Sequence, residues 1–257
     1  MKTTDYVSLN ATMTKQGVCV VIPVYNSEKT IAAVINSVLD YTDDVIVVND
    51  GSTDGTTDIL LSYGDTILPV SYPTNKGKGY ALKQGFRQAR QRGFSYALTL
   101  DADGQHSAED IAAFMEVLME HPHTFITGVR SFDHPNMSKG SVFANKFSNF
   151  WFTLQTARRL PDTQSGYRLY PLDSMKRMLP ITCRYEAELE LLVRCAWRGI
   201  PILTVPIQVH YPTRENRISH FRPKEDFLRI SILNTVLCLL AILYGYPSMI
   251  IRKLIEN

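Results

Sequence analysis

The sequence lacks the features that mark several classes of protein. Its 257 residues hold 27 Lys and Arg against 25 Asp and Glu, so the net charge of +2 lacks the basic excess of a nucleic-acid-binding protein. The four cysteines are scattered and include no Cys-x-x-Cys pair, which argues against a metal site or a disulfide framework. Residues 1–16 are polar and lack the basic and then apolar layout of a signal peptide, so we expect a cytoplasmic protein.

Apolar runs of strand-forming residues alternate with helical stretches along the chain. This order predicts an α/β fold in which a mostly parallel sheet carries helices on both faces. The run from 18 to 24 is apolar throughout, as expected for a strand that is buried on both faces. We expect strands at residues 18–24, 45–48, 66–71, 96–100, 125–129 and 202–209, a short helix that ends at 61, and helices at 28–39, 78–92, 107–120, 140–159 and 186–198.

Local signals predict several element boundaries. Asn26 or Ser27 is expected to cap the helix that starts at Glu28. Residues 107–110 resemble a capping box that opens the helix ending at 120, with Asp in place of Glu. Pro206 interrupts the last strand, which predicts that this strand lies at an edge of the sheet.

Three polar clusters follow the expected strands, at residues 25–26, 50–56 and 101–106. Because ligands bind beyond the carboxyl ends of the strands in such sheets, we expect these clusters to form one site. Asp101 and Asp103 end an apolar run and are one residue apart. If the strand continues through them, both side chains project to the same face, where a divalent cation carrying a diphosphate would compensate their charge.

The last part of the chain differs in composition. Residues 230–251 contain no charged side chain. An uncharged run of this length is just long enough to span a bilayer core. Gly245 and Pro247 are expected to break this run into two helices. We therefore favour one or two helices that lie in the membrane face, over a dimer interface, a helix packed on the domain or a true span. The expected units are a polar extension at 1–16, a catalytic domain at 17–222 and membrane-associating or oligomerising helices at 223–257.

Six segments, taken in order, resemble family 2 glycosyltransferases with the GT-A fold. The Asp-Ala-Asp-x-Gln-His segment and the Ser-Gly-Tyr-Arg segment resemble the branch of dolichyl- and polyprenyl-phosphate mannose and glucose synthases. Asn49 departs from the pattern, because many relatives carry Asp there, but Asp50 is retained. The six segments are residues 21–28, 47–55, 75–81, 101–105, 164–168 and 185–190.

The resemblance implies a nucleotide-sugar donor, UDP- or GDP-linked. It implies that Asp50 accepts a hydrogen bond from the base, that Lys78 and its flanking glycines approach the donor, and that a basic loop closes over the diphosphate. The alternatives are that Asn26 is only a helix cap and that Asp50 only begins a tight turn. The donor-binding residues implied are Pro23, Tyr25, Asn26, Glu28, Asp50, Lys78, Asp101, Arg217 and Ser219.

The resemblance also implies a metal site. Asp101 and Asp103 would bind Mg²⁺ or Mn²⁺, with Gln105 as a further oxygen ligand, and the metal would neutralise the departing diphosphate. His106 is expected to lie beside the site rather than to bind the metal.

The implied reaction is an inverting, metal-dependent transfer, with Asp103, Glu186, Glu188 and Arg130 as catalytic residues. An acceptor hydroxyl needs a base, and Glu186 stands at the position where hydroxyl-using relatives have theirs. An acceptor phosphate needs cations instead, and Arg130 follows the fifth strand.

We expect a polyprenyl phosphate acceptor at the inner face of the cytoplasmic membrane, with a lipid or glycan hydroxyl as the alternative. A homo-oligomer is also compatible with the sequence. A nucleotidyltransferase is a more distant alternative, since residues 23–26 are not a Gly-rich triphosphate loop. A non-catalytic nucleotide-sugar sensor is a third, which the intact Asp101 and Asp103 disfavour.

Overall fold

The computed structural model of the protein describes residues 3–131, 139–176, 178–210 and 223–256. Its centre is a seven-stranded sheet in the order β3-β2-β1-β4-β6-β5-β7. The strands are β1 Val18–Val24, β2 Val45–Asp50, β3 Leu68–Tyr72, β4 Tyr96–Thr99, β5 Phe125–Arg130, β6 Arg168–Pro171 and β7 Ile202–Ile207. The helices are α1 Thr3–Gln16, α2 Ile31–Leu39, α3 Thr56–Ser62, α4 Lys78–Gln91, α5 Ile111–Glu120, α6 Lys139–Thr156, α7 Glu186–Trp197, α8 Pro223–Leu240 and α9 Tyr246–Glu256.

The expected α/β architecture is confirmed. β1 lies between β2 and β4 and pairs with both in parallel, and β7 pairs in parallel with β5 at the edge of the sheet, as Pro206 predicts. The residues of β1 alternate between two buried clusters: Val20 packs with α2 and α5 residues, whereas Val21 packs with α4 and α7 residues. Helices therefore cover both faces, which is why this strand is apolar at every position.

β6 runs antiparallel to both of its neighbours, β4 and β5. Because its direction is reversed, it begins at the edge of the sheet where the parallel strands end, with Arg168 opposite Thr99. The residues just before Arg168 are thus placed at the carboxyl edge of β4. This reversal brings a segment from the second half of the chain to the polar clusters of the first half.

Two predicted boundaries are wrong. The helix expected from Glu28 begins at Ile31, and its N-cap Thr30 makes no side-chain capping bond, because its Oγ1 donates instead to Ala102 O at 2.6 Å. β4 ends at Thr99, so Asp101 and Asp103 lie in a turn and the alternation of a strand does not govern their directions.

The expected capping box forms only in part. Ser107 Oγ accepts from the Glu109 amide at the start of a 3₁₀ turn. Asp110 does not complete the box, since its carboxylate accepts from the backbone amide of Gln208, which follows β7.

The predicted break at Gly245 and Pro247 is wrong. A π-helical stretch, Ala241–Gly245, joins α8 to α9 without interruption. Pro247 has no backbone N–H to donate, and the helix nevertheless continues past it from the π-helical stretch into α9. The continuous helix Glu225–Ile255 is long and apolar enough to cross a membrane by length and composition. A Cβ at Gly245 would lie 2.5 Å from Trp197 Nε1, so the glycine permits close packing on α7.

Candidate active site

Asp50, the last residue of β2, is 3% exposed and organises the turn before α4. Its Oδ1 accepts from the Lys76 amide at 2.7 Å, and its Oδ2 accepts from the Gly77 amide at 2.7 Å and from Asn75 Nδ2 at 3.0 Å. A carboxylate that accepts several hydrogen bonds holds their donors in fixed positions. Asp50 therefore fixes the loop that leads into Lys78.

Asn26 and Glu28 join the loop after β1 to the loop after β2. The Thr53 amide donates to Asn26 Oδ1 at 2.8 Å, and the Gly55 amide donates to Glu28 Oε2 at 2.8 Å. Asn26 has φ of 47°, a left-handed conformation that Asn adopts more readily than most residues. We call these two loops, residues 23–28 and 50–55, the donor rim, after the expectation from the sequence that they bind the donor. Pro23 is buried and Tyr25 is half-buried on the same rim.

Lys78, the first residue of α4, links the carboxyl edge of the sheet to α7. Its Nζ lies 2.6 Å from Asp101 Oδ1 and 3.0 Å from Glu188 Oε2. A Cβ at Gly166 would lie 2.6 Å from Asp101 Oδ2 and 2.7 Å from Lys78 Nζ, so only glycine leaves room for this cluster. Four chain segments therefore meet here, and Gly166 arrives because β6 is antiparallel.

Electrostatics favour the charged forms in this cluster. Burial opposes ionisation of Asp101, but the ammonium of Lys78 outweighs it and holds the pKa of Asp101 below its usual range. Burial likewise opposes protonation of Lys78, yet Asp101 and Glu188 raise the pKa of Lys78 above its ordinary value. The ammonium of Lys78 and the carboxylate of Asp101 therefore stabilise each other's charged form.

The turn after β4 holds Asp103, Gln105 and His106. The Gln105 amide donates to Asp103 Oδ1 at 3.0 Å, and the Asp101 amide donates to His106 Nδ1 at 3.3 Å. Burial lowers the pKa of His106 to about 4, despite the nearby Asp101 carboxylate. His106 is therefore neutral at pH 7, and its Nδ1 is an acceptor for the backbone that carries the acidic pair.

Arg168 holds the backbone of the site together, a role that the Ser-Gly-Tyr-Arg motif does not specify. Its guanidinium is fully buried and donates to the carbonyls of Ser165 at 2.6 Å, Thr163 at 2.7 Å and Glu188 at 2.7 Å. It ties the segment before β6 to α7, and it does so through backbone carbonyls rather than through an acidic side chain. The Ser-Gly-Tyr-Arg segment was the only signal for it in the sequence.

Arg130, expected to meet an acceptor phosphate, forms a two-bond ion pair with Asp162. Its Nε lies 2.7 Å from Asp162 Oδ2 and its Nη2 lies 3.0 Å from Oδ1, and Asp162 is fully buried. The pair fixes the end of β5 to the segment before β6. A phosphate at Arg130 would have to share the guanidinium with this carboxylate.

Glu186 and Glu188 begin α7 and are 5% and 7% exposed. Glu186 Oε1 lies 3.9 Å from Arg229 Nη1 of α8. Glu186 Oε2 and Glu188 Oε1 are buried and have no hydrogen-bond partner among the described residues. Buried polar atoms are nearly always paired, so these two oxygens point to a ligand that completes the site.

An apolar groove of about 580 Å³ lies between α7 and the C-terminal helix. Its polar lining is formed by Thr182, Glu186, Glu190, Arg194, Arg198 and Arg229, and Glu190 and Arg194 are paired with each other. We call this the α7–α8 groove. Its apolar wall on α8 is formed by Ile232, Leu233, Val236, Leu237 and Leu240.

The sequence profile described as Glycosyl transferase family 2 matches residues 19–175, which include the donor rim and the acidic turn. The chain belongs to this family. Glycosyltransferase AglJ of Haloferax volcanii is 31% identical over 219 residues, 83% of this chain and 69% of that protein. A UDP-N-acetylglucosamine–dolichyl-phosphate N-acetylglucosaminyltransferase of Methanococcus voltae is 28% identical, over 74% of this chain and 84% of that protein.

A solved structure confirms the GT-A fold of this family 2 glycosyltransferase. Glucosyl-3-phosphoglycerate synthase from Mycobacterium tuberculosis, solved with Mn²⁺, uridine diphosphate and phosphoglyceric acid, matches with a TM-score of 0.66 and 18% identity. The match covers 92% of this chain and 82% of that one. At this identity the likeness concerns the fold.

The acidic residues of the glycosyltransferase suit a cation that is shared with a substrate. Within residues 3–131, 139–176, 178–210 and 223–256, no three His, Cys, Asp or Glu side chains are grouped closely enough to hold a metal ion by themselves. Mg²⁺, however, is usually held by one or two carboxylates together with substrate phosphates and water. Asp101, Asp103 and the unpartnered Oε1 of Glu188 fit that chemistry.

Two implied donor-binding residues, Arg217 and Ser219, lie outside the described part of the chain. His210, the last described residue before them, is bound beside the acidic turn, since its amide donates to Gln105 O at 2.8 Å. His106 and Val209 also form an antiparallel bridge.

Proposed function

We propose that this glycosyltransferase moves a sugar from a nucleoside diphosphate to a polyprenyl phosphate, with inversion at the anomeric carbon and with Mg²⁺ or Mn²⁺ as cofactor. The relatives support both substrates, because the Methanococcus voltae protein is named for UDP-N-acetylglucosamine and dolichyl phosphate. The α7–α8 groove carries the proposal for the acceptor. Membership of the family sets aside the nucleotidyltransferase alternative.

The donor rim would bind the nucleoside. Pro23, Tyr25, Asn26 and Glu28 lie on the base and ribose side in this proposal. Asp50 Oδ1 accepts one backbone bond and keeps a lone pair for an N–H of the base. Because Asn26 and Glu28 already hold the rim together, little ordering is left for the nucleotide to impose.

The acidic turn would receive the diphosphate. Asp101 and Asp103, with Gln105 as a further oxygen ligand, would hold the cation, which when bound supplies positive charge to the departing nucleoside diphosphate. Lys78, and in this proposal Arg217 and Ser219, bind the phosphate oxygens from the protein side.

The α7–α8 groove suits a prenyl chain. Its wall on α8 is apolar, and the guanidinium of Arg229 lies at the polar end near Glu186. A phosphate at this end would meet a cation, while the chain continues along the helix. A phosphate acceptor is already anionic and needs no base. In the proposed inverting transfer, its oxygen bonds to the anomeric carbon from the face opposite the nucleoside diphosphate, whose bond to that carbon breaks.

A hydroxyl acceptor is the second candidate, and one observation favours it. Glu186 Oε2 is buried without a partner among the described residues, which is suitable for a base that awaits an O–H donor. In that reaction Glu186 would take the proton of the hydroxyl as it attacks.

One experiment separates the two acceptors. Purified protein is assayed with Mn²⁺, a panel of UDP- and GDP-sugars, and either a polyprenyl phosphate or the polyprenol of the same length. We expect product only from the phosphate, a β linkage by NMR from an α-linked donor, and loss of turnover with EDTA. Product from the polyprenol alone would refute the proposed acceptor.

The variant Glu186→Gln tests the base directly. For a phosphate acceptor we expect a loss of less than about 10-fold, whereas loss of a general base costs roughly 100-fold to 10,000-fold. Glu116→Gln, at an exposed position on α5, is the matched control. Donor binding by Glu186→Gln, measured by calorimetry, should stay at the wild-type level in both cases.

We also propose that the C-terminal helix lies on the inner face of the cytoplasmic membrane. It contacts the domain along its length: Gln155 Nε2 donates to Asn234 Oδ1, Tyr246 OH donates to Leu154 O, and Ser248 Oγ donates to Trp197 O. From Asp226, which is buried, to Arg252, which packs on Gly199, the helix extends about 39 Å at 1.5 Å per residue.

A helix docked over that length cannot also cross a hydrocarbon core of about 30 Å without leaving the domain. Its outer face, by contrast, exposes large apolar side chains that suit a lipid surface. They include Leu239, Ile242, Leu243, Ile250, Leu254 and Ile255. Flotation with anionic vesicles should carry the protein upward. If the protein does not bind vesicles and forms a homo-oligomer in the absence of detergent, this face instead binds a second copy of the chain.

A further inference from the structure

Lys78 lies between two carboxylates at the carboxyl edge of the sheet. Its Nζ touches Asp101 Oδ1 at 2.6 Å and Glu188 Oε2 at 3.0 Å, and its side chain is 14% exposed. The ammonium is therefore the counter-charge of both carboxylates in the absence of substrates. Two carboxylates facing each other in a partly buried site would repel without it.

A divalent cation bound at Asp101 would lie close to a second positive charge, because the Lys78 ammonium is 2.6 Å from Asp101 Oδ1. A divalent cation at Asp101 has to compete with an ammonium that is already desolvated and paired, which costs the free energy of that ion pair. A donor diphosphate changes this balance, because its oxygens offer Lys78 a second set of anionic partners. With the diphosphate present, Lys78 can leave Asp101 without being left unpaired.

We propose that Lys78 is a positioning residue that makes the divalent cation and the donor diphosphate bind together, by holding the place between Asp101 and Glu188 until the diphosphate arrives. The inference rests on the proposed donor and metal site. It predicts that metal alone binds weakly, and that the nucleotide strengthens metal binding and the metal strengthens nucleotide binding by the same factor.

The test is a titration of Mn²⁺ followed by electron paramagnetic resonance, with and without UDP or GDP, in the complete chain. We expect the wild-type protein to bind Mn²⁺ at least about 10-fold more tightly when the nucleotide is present, a typical coupling between two sites. In Lys78→Met we expect Mn²⁺ alone to bind about 10-fold more tightly than in the wild type, and the nucleotide to strengthen Mn²⁺ binding by a smaller factor than in the wild type, because only the coupling through shared phosphate oxygens remains.

Matched variants separate charge from position. Lys83→Met, further along α4, makes the same change of charge and should keep the wild-type coupling. Lys78→Gln removes the charge but keeps a hydrogen-bond donor, so it protects the test if Lys78→Met does not fold, as judged by circular dichroism. It should also bind Mn²⁺ alone more tightly than the wild type.

Two failures are distinguishable. Nucleotide-coupled Mn²⁺ binding in the wild type that persists unchanged in Lys78→Met and Lys78→Gln would overturn the role of Lys78 and leave the proposed function standing. Wild-type protein that binds neither nucleotide in the presence of Mn²⁺ would overturn the proposed donor site and this inference with it.

Discussion

The donor rim and the start of α7 line the same edge of the sheet but differ in how their polar atoms are paired. On the rim, the side chains of Asn26, Glu28 and Asp50 accept hydrogen bonds from neighbouring backbone amides. On α7, Glu186 Oε2 and Glu188 Oε1 are buried and have no partner within the described chain.

This difference shows how the donor rim and the start of α7 are each prepared to bind a ligand. The rim is completed by the protein itself, so its shape is set when the chain folds and a ligand meets preorganised groups. The start of α7 holds two carboxylate oxygens that no described residue hydrogen-bonds, so a substrate or a cation is expected to complete it. The rim is thus a stabilising part of the fold, and the start of α7 is a destabilising one.

The largest expected effect is at Asp101, which Lys78 links to Glu188 at the start of α7. Asp101→Ala should lower kcat/KM by roughly 1,000-fold, because it removes electrostatic stabilisation of the departing diphosphate. Steady-state assays with Mn²⁺ and the donor measure this. Asp65→Ala, exposed before β3, is the control. Near-normal turnover by Asp101→Ala would show that the acidic turn is not part of the reaction.

Asp50 tests the rim as a stabilising element. Asp50→Ala leaves the amides of Lys76 and Gly77 without their acceptor, and it should lower the free energy of unfolding by about 3 kcal/mol, since bonds to a charged group contribute more than neutral ones. Urea denaturation followed by circular dichroism measures it. Asp58→Ala, exposed on α3, should change the stability by less than about 0.5 kcal/mol.

His106 predicts a pH dependence. The pKa of His106 is about 4 in the folded protein, against an ordinary value of 6.5, because burial lowers it. The nearby Asp101 carboxylate raises this pKa in part, and Lys78, Arg130 and Asp162 have smaller effects. Below pH 6.5 the unfolded chain binds the proton more readily, so stability is complete above 6.5 and falls as pH falls towards 4.

The expected slope from His106 is up to about 1.4 kcal/mol per pH unit in that window. His106→Gln should flatten the curve of unfolding free energy between pH 4.5 and 6.5, whereas His121→Gln, at an exposed position, should not. Equal slopes in the wild type and in His106→Gln would contradict the burial of a neutral histidine. Asp101 adds nothing in this window, since its pKa lies below its ordinary value of 3.8.

The smallest expected effect is at Glu186, where we expect the substitution to raise the free energy of unfolding rather than to lower it. Glu186→Leu removes a buried carboxylate with an uncompensated oxygen and adds apolar surface beside the α7–α8 groove, so it should raise the free energy of unfolding by about 1 kcal/mol. Thermal denaturation in detergent measures it. Loss of stability in this variant would mean that Glu186 is paired in the folded protein, and that the two halves of the edge do not differ.

The family and most of the elements could be predicted from the sequence, because they depend on local patterns. A fully apolar run marks β1, and the polar clusters after β1, β2 and β4 mark the edge where ligands bind. The motif at 101–106 predicts the acidic turn. Strand alternation does not direct Asp101 and Asp103 to one face, however, because β4 ends at Thr99.

The pairings within the site could not be predicted in the same way. Lys78 with Asp101 and Glu188, Arg130 with Asp162, and Arg168 with three carbonyls join residues that are far apart in the chain. Nothing local specifies such pairs, because each depends on which strand lies beside which and in which direction it runs.

The local sequence is enough to predict the α/β order, the buried strands and the acidic turn, because the hydrophobic period and the composition of a segment are properties of neighbouring residues. Only the tertiary structure decided that β6 runs antiparallel, that Gly166 and Lys78 meet at Asp101, and that α8 and α9 form one helix docked on α6 and α7. These features follow from long-range packing, in which a helix or strand takes the place where the most apolar surface is buried and the fewest polar groups are left unpaired.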